Sequence, residues 1–218
     1  VIPLYPNGTT SYPHYGLDSV VSVSNNLYVA VGLKTWNKVK IYQYTTSGLT
    51  FKKDISGPGG STNFGCSVSF DDSGQYLVVG SQGTPAQTKG SVYLYNTSNK
   101  SNPSLIKTFN APTEQNWNGN AFGSSVSISG DAKTIIIGST HNGNQSGGSP
   151  KNGFVCIYRQ LTSAYNWGQI GNTILGTANS LTGFSVTLNK EGSVLVVGSP
   201  ADTTYQSDPG ATRIYRWG

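Results

Sequence analysis

The sequence predicts an all-β fold, a four-bladed β-propeller of four-stranded antiparallel blades, and three observations carry that prediction. A short motif recurs: Phe64-Gly65-Cys66-Ser67-Val68-Ser69 returns as Phe122-Gly123-Ser124-Ser125-Val126-Ser127, and again as Thr182-Gly183-Phe184-Ser185-Val186-Thr187 with the glycine kept and the aromatic displaced. Each copy leads through a polar turn into an apolar run ending in Gly-Ser, then through a variable loop into a strand ending in Tyr. No stretch sustains a helical period, because Gly and Pro interrupt every candidate. One small sheet cannot bury its own faces, so sheet-sized repeats stack or close radially.

The elements follow in chain order. The segment Val1-Ile2-Pro3-Leu4-Tyr5 has no place in the first copy of the repeat. That copy is degenerate, with Ser19-Val20, Tyr28-Val29-Ala30-Val31-Gly32 and Val39-Lys40-Ile41-Tyr42 as its strands. The apolar runs of the later copies are Tyr76-Leu77-Val78-Val79-Gly80-Ser81, Ile135-Ile136-Ile137-Gly138-Ser139 and Val194-Leu195-Val196-Val197-Gly198-Ser199. Such continuous runs suit strands covered on both faces. The third strands are Gly90 to Tyr95, Gly153 to Tyr158 and Gly210 to Tyr215. Hairpin turns at Asp71-Asp72-Ser73-Gly74, Ser129-Gly130-Asp131-Ala132 and Asn189-Lys190-Glu191-Gly192 use residues that bond their own backbone or tolerate positive φ. A weaker, more polar outer strand follows at Leu49 to Lys53, Leu105 to Phe109, and Trp167 to Ile170 leading to Ile174-Leu175. The last copy ends at Arg216-Trp217-Gly218, directly after its third strand. The N-terminal strand, with Ile2, Leu4 and Tyr5, is therefore expected to supply the missing outer strand and close the ring. It would do so within its own chain or by exchange into a neighbour. Pro3 and Pro6 suit a sheet edge. The expected organisation is one domain over 1–218, with blades over about 15–62, 63–120, 121–180, and 181–218 plus 1–12.

Composition narrows the function. Only 11% of residues are charged, and the polarity is mostly uncharged Gly, Ser, Thr and Asn with many Tyr, which points to an extracellular or surface-displayed β-protein. The net charge is +5, yet the 14 basic residues are scattered and Lys52-Lys53 is the one adjacent pair. A nucleic-acid binder gathers its basic residues on one face, so that class is set aside. No apolar run approaches the ~18 residues that span a bilayer, so no membrane insertion is expected. The chain begins at Val1 and contains no Met, so removal of a signal peptide or longer precursor is expected.

Catalytic patterns do not emerge. Hydrolysis or group transfer calls for a nucleophile with a base, or for converging carboxylates. The two histidines, His14 and His141, sit in loop-like contexts, and the nine acidic residues mostly occupy turns. No Gly-rich phosphate loop opens a helix. The expectation is a chain that is no enzyme and holds no cofactor. Cys66 and Cys156 have neither CxxC spacing nor a nearby His cluster. They read either as two buried apolar thiols or as a disulfide between neighbouring blades. Asn-x-Ser/Thr sequons at Asn7, Asn96, Asn99 and Asn144 permit N-glycosylation, though this Asn, Ser and Thr content produces such a number by chance.

The aromatic-Gly-x-Ser-Val opening, the Val-Val-Gly-Ser segment and the third strand ending in Tyr resemble FG-GAP repeats, which build the β-propeller of integrin α-subunits and of many secreted microbial and algal proteins. Gly198-Ser199-Pro200 is similar to the Gly-Ala-Pro part of that motif. Trp167-Gly168-Gln169-Ile170-Gly171 resembles the Trp-x-Gln-x-Gly outer strand of the microbial versions. The resemblance covers nearly the whole chain and implies a secreted propeller. Two departures stand out: familiar members have seven blades, and many bind calcium through an Asp-x-Asp-x-Asp-Gly loop. The equivalent turns here are too short and too poor in acid, Asp71-Asp72 being the one pair, so calcium is not expected.

Two readings of function follow. The first is a non-catalytic structural or interaction module, a subunit of a surface, fibre-like or adhesive assembly whose partners are proteins, including copies of itself. The alternative is a glycan-binding propeller, in which aromatics stack on sugar rings amid amides. Its candidate residues are Trp36, Trp117 and Tyr205, with Asn116, Asn118 and Asn120. The loops from Gln82 to Lys89, Thr140 to Asn152 and Pro200 to Pro209 are expected to gather on one face and carry any recognition.

Overall fold

The computed structural model describes residues 19–83, 89–112, 121–141, 152–162, 166–204 and 210–217. They form four antiparallel sheets, each in sequence order. The first contains β1 (Ser19–Val23), β2 (Tyr28–Leu33), β3 (Lys38–Thr45) and β4 (Gly48–Ser56), with a one-turn 3-10 helix at Lys34–Trp36 between β2 and β3. The second contains β5 (Phe64–Phe70), β6 (Tyr76–Ser81), β7 (Ser91–Asn96) and β8 (Ser104–Asn110). The third contains β9 (Phe122–Ile128), β10 (Thr134–Ser139) and β11 (Phe154–Gln160). Its outer position is shared by β12 (Trp167–Gln169) and β13 (Ile174–Leu175), both of which pair with β11. The fourth contains β14 (Ser185–Leu188), β15 (Val194–Ser199) and β16 (Ala211–Arg216), and is three-stranded among the described residues. The N-terminal strand expected to complete it, with Ile2, Leu4 and Tyr5, lies outside the described residues.

The hairpin between the first two strands of each sheet is built by one rule. The side chain that opens the turn accepts an N–H from its far end: Ser24 from Tyr28, Asp71 from Tyr76, Ser129 from Thr134 and Asn189 from Val194. Ser, Asp and Asn serve because their short side chains reach the backbone of their own turn. Three residues on, φ is positive in every copy: Leu27 at 59°, Gly74 at 67°, Ala132 at 59° and Gly192 at 63°. Glycine fills that position in only two copies.

Sheet packs on sheet in sequence, with β1 against β5, β5 against β9 and β9 against β14. Three apolar layers result. Ala30, Val39 and Ile41 meet Phe64, Phe70, Leu77 and Val79. Val78, Val92, Leu94 and Phe109 meet Phe122, Ile128, Ile135 and Cys156. Ile136, Val155 and Ile157 meet Leu195 and Val197. Burying each Val, Leu, Ile or Phe side chain among them contributes about 1.5–3 kcal/mol. Among the described residues, none of the principal packing contacts joins the fourth sheet to the first.

The recurring motif forms the seams between sheets. Gly65, Gly123 and Gly183 have φ of 88°, 87° and 86°, a left-handed conformation that L side chains avoid. The turn so made pushes an irregularity into β5 and into the pairing of β9. It also brings each motif glycine against the preceding sheet, where a Cβ on Gly65 would lie 2.6 Å from the Lys38 carbonyl oxygen and one on Gly123 2.8 Å from Val92 Cγ2. Ser67 Oγ donates to the Gly123 carbonyl and Ser125 Oγ to the Gly183 carbonyl, each at 2.7 Å. The N–H groups of Phe70, Ile128 and Leu188 donate back to Ser22, Ser69 and Ser127.

Both cysteines are free thiols, so the alternative of an inter-blade disulfide is not realised. Cys156 is a core residue of the second layer. Cys66 Sγ donates to the Gly123 carbonyl at 3.3 Å, and burial pushes its thiol pKa up, away from a reactive thiolate.

Candidate functional site

Antiparallel order brings two sets of connections to one end of the sheets, those between second and third strands and those between one sheet and the next. Trp36 lies there, on the 3-10 turn after β2, with 43% of its surface exposed. The strand ends flanking the other glycan candidates lie at the same end: Asn110 and Phe122 around the segment with Trp117, Asn116, Asn118 and Asn120, and Ser199 and Ala211 around Tyr205. Those residues themselves fall outside the described residues, as do most of the expected recognition loops. The sequons divide likewise. Asn96 ends β7 and accepts the Ser98 N–H, Asn99 is exposed in the turn at the opposite end, and Asn7 and Asn144 lie outside the described residues. His141 Nδ1 sits 2.9 Å from Thr140 Oγ1.

One buried polar centre at this end was not apparent from the sequence, where Asp202 reads as one more loop acid. Asp202 is 2% exposed, and its Oδ2 lies 2.6 Å from Arg213 Nη1 on β16. Its Oδ1 accepts the Thr204 N–H and hydroxyl. The Thr204 hydroxyl first, and the Arg213 guanidinium second, hold the carboxyl at about 2, below the usual ~3.9. Because the folded pKa lies below the unfolded one, the ionised form stabilises the protein fully above pH ~4, and that contribution is lost as pH falls toward about 2. Asp202→Asn is expected to cost about 1.5–3 kcal/mol at neutral pH. The gap from wild type should close on acidification through that window, as read by urea unfolding at several pH values. The role is structural: the carboxylate ties the β15–β16 connection to β16.

Two other arrangements offer little chemistry. Among the described residues no group of three or more His, Cys, Asp or Glu is placed to hold a metal. A cleft of about 130 Å³ between the second and third sheets, lined by Tyr76, Asp131, Lys133, Gln160 and Trp167, is smaller than the ~300 Å³ at which ligand pockets begin. Trp167 is packed edge-on against Phe109, and Asp131 Oδ1 accepts from Ser129 Oγ and the Lys133 N–H. No helix among the described residues is long and apolar enough to cross a membrane.

The unusual surface lies at the two ends of the array. On the first sheet Val21 and Val23 are 66% and 63% exposed, on the fourth Ile214 is 71% exposed, and Phe184, just before β14, is 59% exposed. Strand β16 also presents an unpaired edge among the described residues, whereas β3, β7 and β11 each have an outer partner. An apolar sheet face and an open edge are both sites at which another chain adds.

No family model matches this chain, and no curated protein matches it. Solved structures do. A functionally unknown protein from Desulfotomaculum acetoxidans superposes with a TM-score of 0.56 at 15% identity, over 92% of this chain and 55% of that one. A protein from Lactobacillus plantarum gives 0.55 at 12% identity, over 94% and 57%. A candidate 6-phosphogluconolactonase from Bacteroides uniformis gives 0.57 at 10% identity, over 90% and 58%. Likeness at such identity shows the fold alone, a propeller-like array of antiparallel sheets. The chain spans somewhat more than half the length of these structures.

Proposed function

We propose that this chain is a non-catalytic interaction module of an extracellular or surface assembly, a propeller of FG-GAP-like blades whose last sheet is completed by strand addition. The open edge of β16 carries the reading. Its backbone is paired with β15 on one side only among the described residues, while the third strand of every other sheet is paired on both. An unpaired edge is a template for an incoming strand, with main-chain hydrogen bonds supplying affinity and alternate side chains supplying specificity. The N-terminal segment has the required character, with Ile2, Leu4 and Tyr5 as its apolar residues and prolines compatible with an edge. In this reading it completes the four-bladed unit from its own chain or from a neighbour, the neighbour making the module a subunit of a fibre or coat. The low charge accords with life outside the cell.

Light scattering on the full chain and on one lacking residues 1–12 tests this. Strand exchange predicts a mass that is a multiple of 23.0 kDa and falls to that of a single chain on truncation. Completion within the chain predicts one 23.0 kDa species whose truncated form unfolds at lower urea. A truncated chain unchanged in both mass and stability would refute strand addition.

A further inference from the structure

We infer that the exposed face of the fourth sheet receives the first sheet of a second copy of this chain, head to tail. The inference rests on the assembly reading above and adds to it a second, separable contact: a sheet face rather than a strand edge.

The joint already exists three times within the chain. At each one, a glycine on the second strand of the receiving sheet leaves room for the next sheet. A Cβ on Gly80 would strike the Gly123 carbonyl, and one on Gly138 the Gly183 carbonyl, while Gly32 Cα approaches Gly65. A hydroxyl on the receiving sheet's first strand, from Ser22, Ser69 or Ser127, accepts an N–H of the next sheet. Apolar pairs such as Val78 with Leu94, and Ile136 with Ile157, fill the layer.

The fourth sheet carries the same receiving set. Pairing register places Gly198 at the position of Gly80 and Gly138, Ser185 at that of Ser67 and Ser125, and Thr187 at that of Ser69 and Ser127. Val196 and Ile214 pair as Val78 and Leu94 do. Here the set stands open. Ile214 and Thr187 are exposed, Gly198 is only half-buried, and the three atoms nearest to a Cβ on Gly198 would all belong to its own Ser185.

The first sheet carries the complementary inserting set. Val21 and Val23 occupy the register positions of Val68 and Phe70, and of Val126 and Ile128, all four of which are buried. One chain thus presents the two halves of a single joint, one at each end. None of the principal packing contacts among the described residues joins these ends, and the first sheet of a neighbouring copy carries the inserting set that the open face matches. Within the chain, the outer strand of each sheet leads directly into the first strand of the next. An N-terminal strand added to β16 of a neighbour would therefore deliver its own first sheet onto that neighbour's open face. The two surfaces differ, so the contact is heterologous, and it generates a ring or a filament depending on rotation.

Light scattering on the full chain over a dilution series tests the inference, with circular dichroism to confirm folding. The wild type should associate into multiples of 23.0 kDa. Gly198→Ala, which meets only a rotatable hydroxyl in its own sheet, and Ile214→Asp should each give a folded 23.0 kDa species. Val21→Asp damages the opposite half of the joint and should do the same. Mixing Val21→Asp with Gly198→Ala should restore a two-chain species, because each supplies the half the other lacks. A wild type that stays at 23.0 kDa, or an assembly indifferent to Gly198→Ala and Ile214→Asp, overturns the inference. Truncation of residues 1–12 separates it from strand addition. Association lost on truncation but kept in Gly198→Ala upholds the strand and refutes the face, and the converse result refutes the strand and upholds the face.

Discussion

Gly138→Ala should lower the stability of this protein by about 3 kcal/mol, with a lower urea midpoint and an unchanged slope. The new methyl would point at the Gly183 carbonyl and at Ser125 Oγ, which are themselves hydrogen-bonded across the seam. A hydroxyl can rotate away, but a carbonyl held in the left-handed turn of Gly183 cannot move without shifting the whole first strand of the fourth sheet. Gly198→Ala is the internal control. It makes the same chemical change at the equivalent register position, where no neighbouring sheet stands opposite among the described residues, so it should leave the unfolding midpoint of the single chain close to that of the wild type. Equal losses at the two positions would show that the penalty comes from strand propensity rather than from the seam.

Phe122→Ala should cost about 3–5 kcal/mol. The ring is fully buried between the second and third sheets and stacks on Phe154 at 6.0 Å. It cannot be replaced by collapse, because Gly90 and the Val92 side chain are held against the same strand by the seam glycines. The fourth sheet has Thr182 at this motif position, buried but engaged with the hydroxyls of Ser180 and Ser199, each at 2.9 Å. Thr182→Ala removes hydroxyl bonds rather than a large ring and should cost less than Phe122→Ala, by the same urea unfolding measurement. A similar loss at both sites would mean that the aromatic contributes little beyond backbone order.

Much of this architecture is legible in the chain itself. The strands of the later copies sit where the repeat places them, because β-branched runs bounded by turn residues have few other folded states. The hairpin turns were legible through Asp71, Ser129 and Asn189, whose oxygens cap the next strand as their residue types suggest. Other features left little trace. Leu27 and Ala132 adopt positive φ in turns where sequence alone would look for glycine, since the geometry is imposed by the two strands they join. The two segments of the third outer strand, Trp167 to Ile170 and Ile174-Leu175, were legible, but that both pair with β11, with Gly171 at φ 65° between them, was not. Asp202 gave no sign of burial because it lies in a connection and its partner Arg213, on β16, becomes a neighbour only in the fold.

The division is sharpest at one repeated position. Val21, Val68 and Val126 are the same residue at equivalent places on first strands, and local pattern assigns all three to the same face. Val68 and Val126 are 9% and 8% exposed, whereas Val21 is 66% exposed. By itself the sequence determined the strands, their alternation and the repeat of the seam, because those depend on neighbours along the chain and across one hairpin. Only the tertiary structure decided which seams are filled, because burial is conferred by a second sheet lying on the first, and at the two ends of this array no such sheet is packed among the described residues.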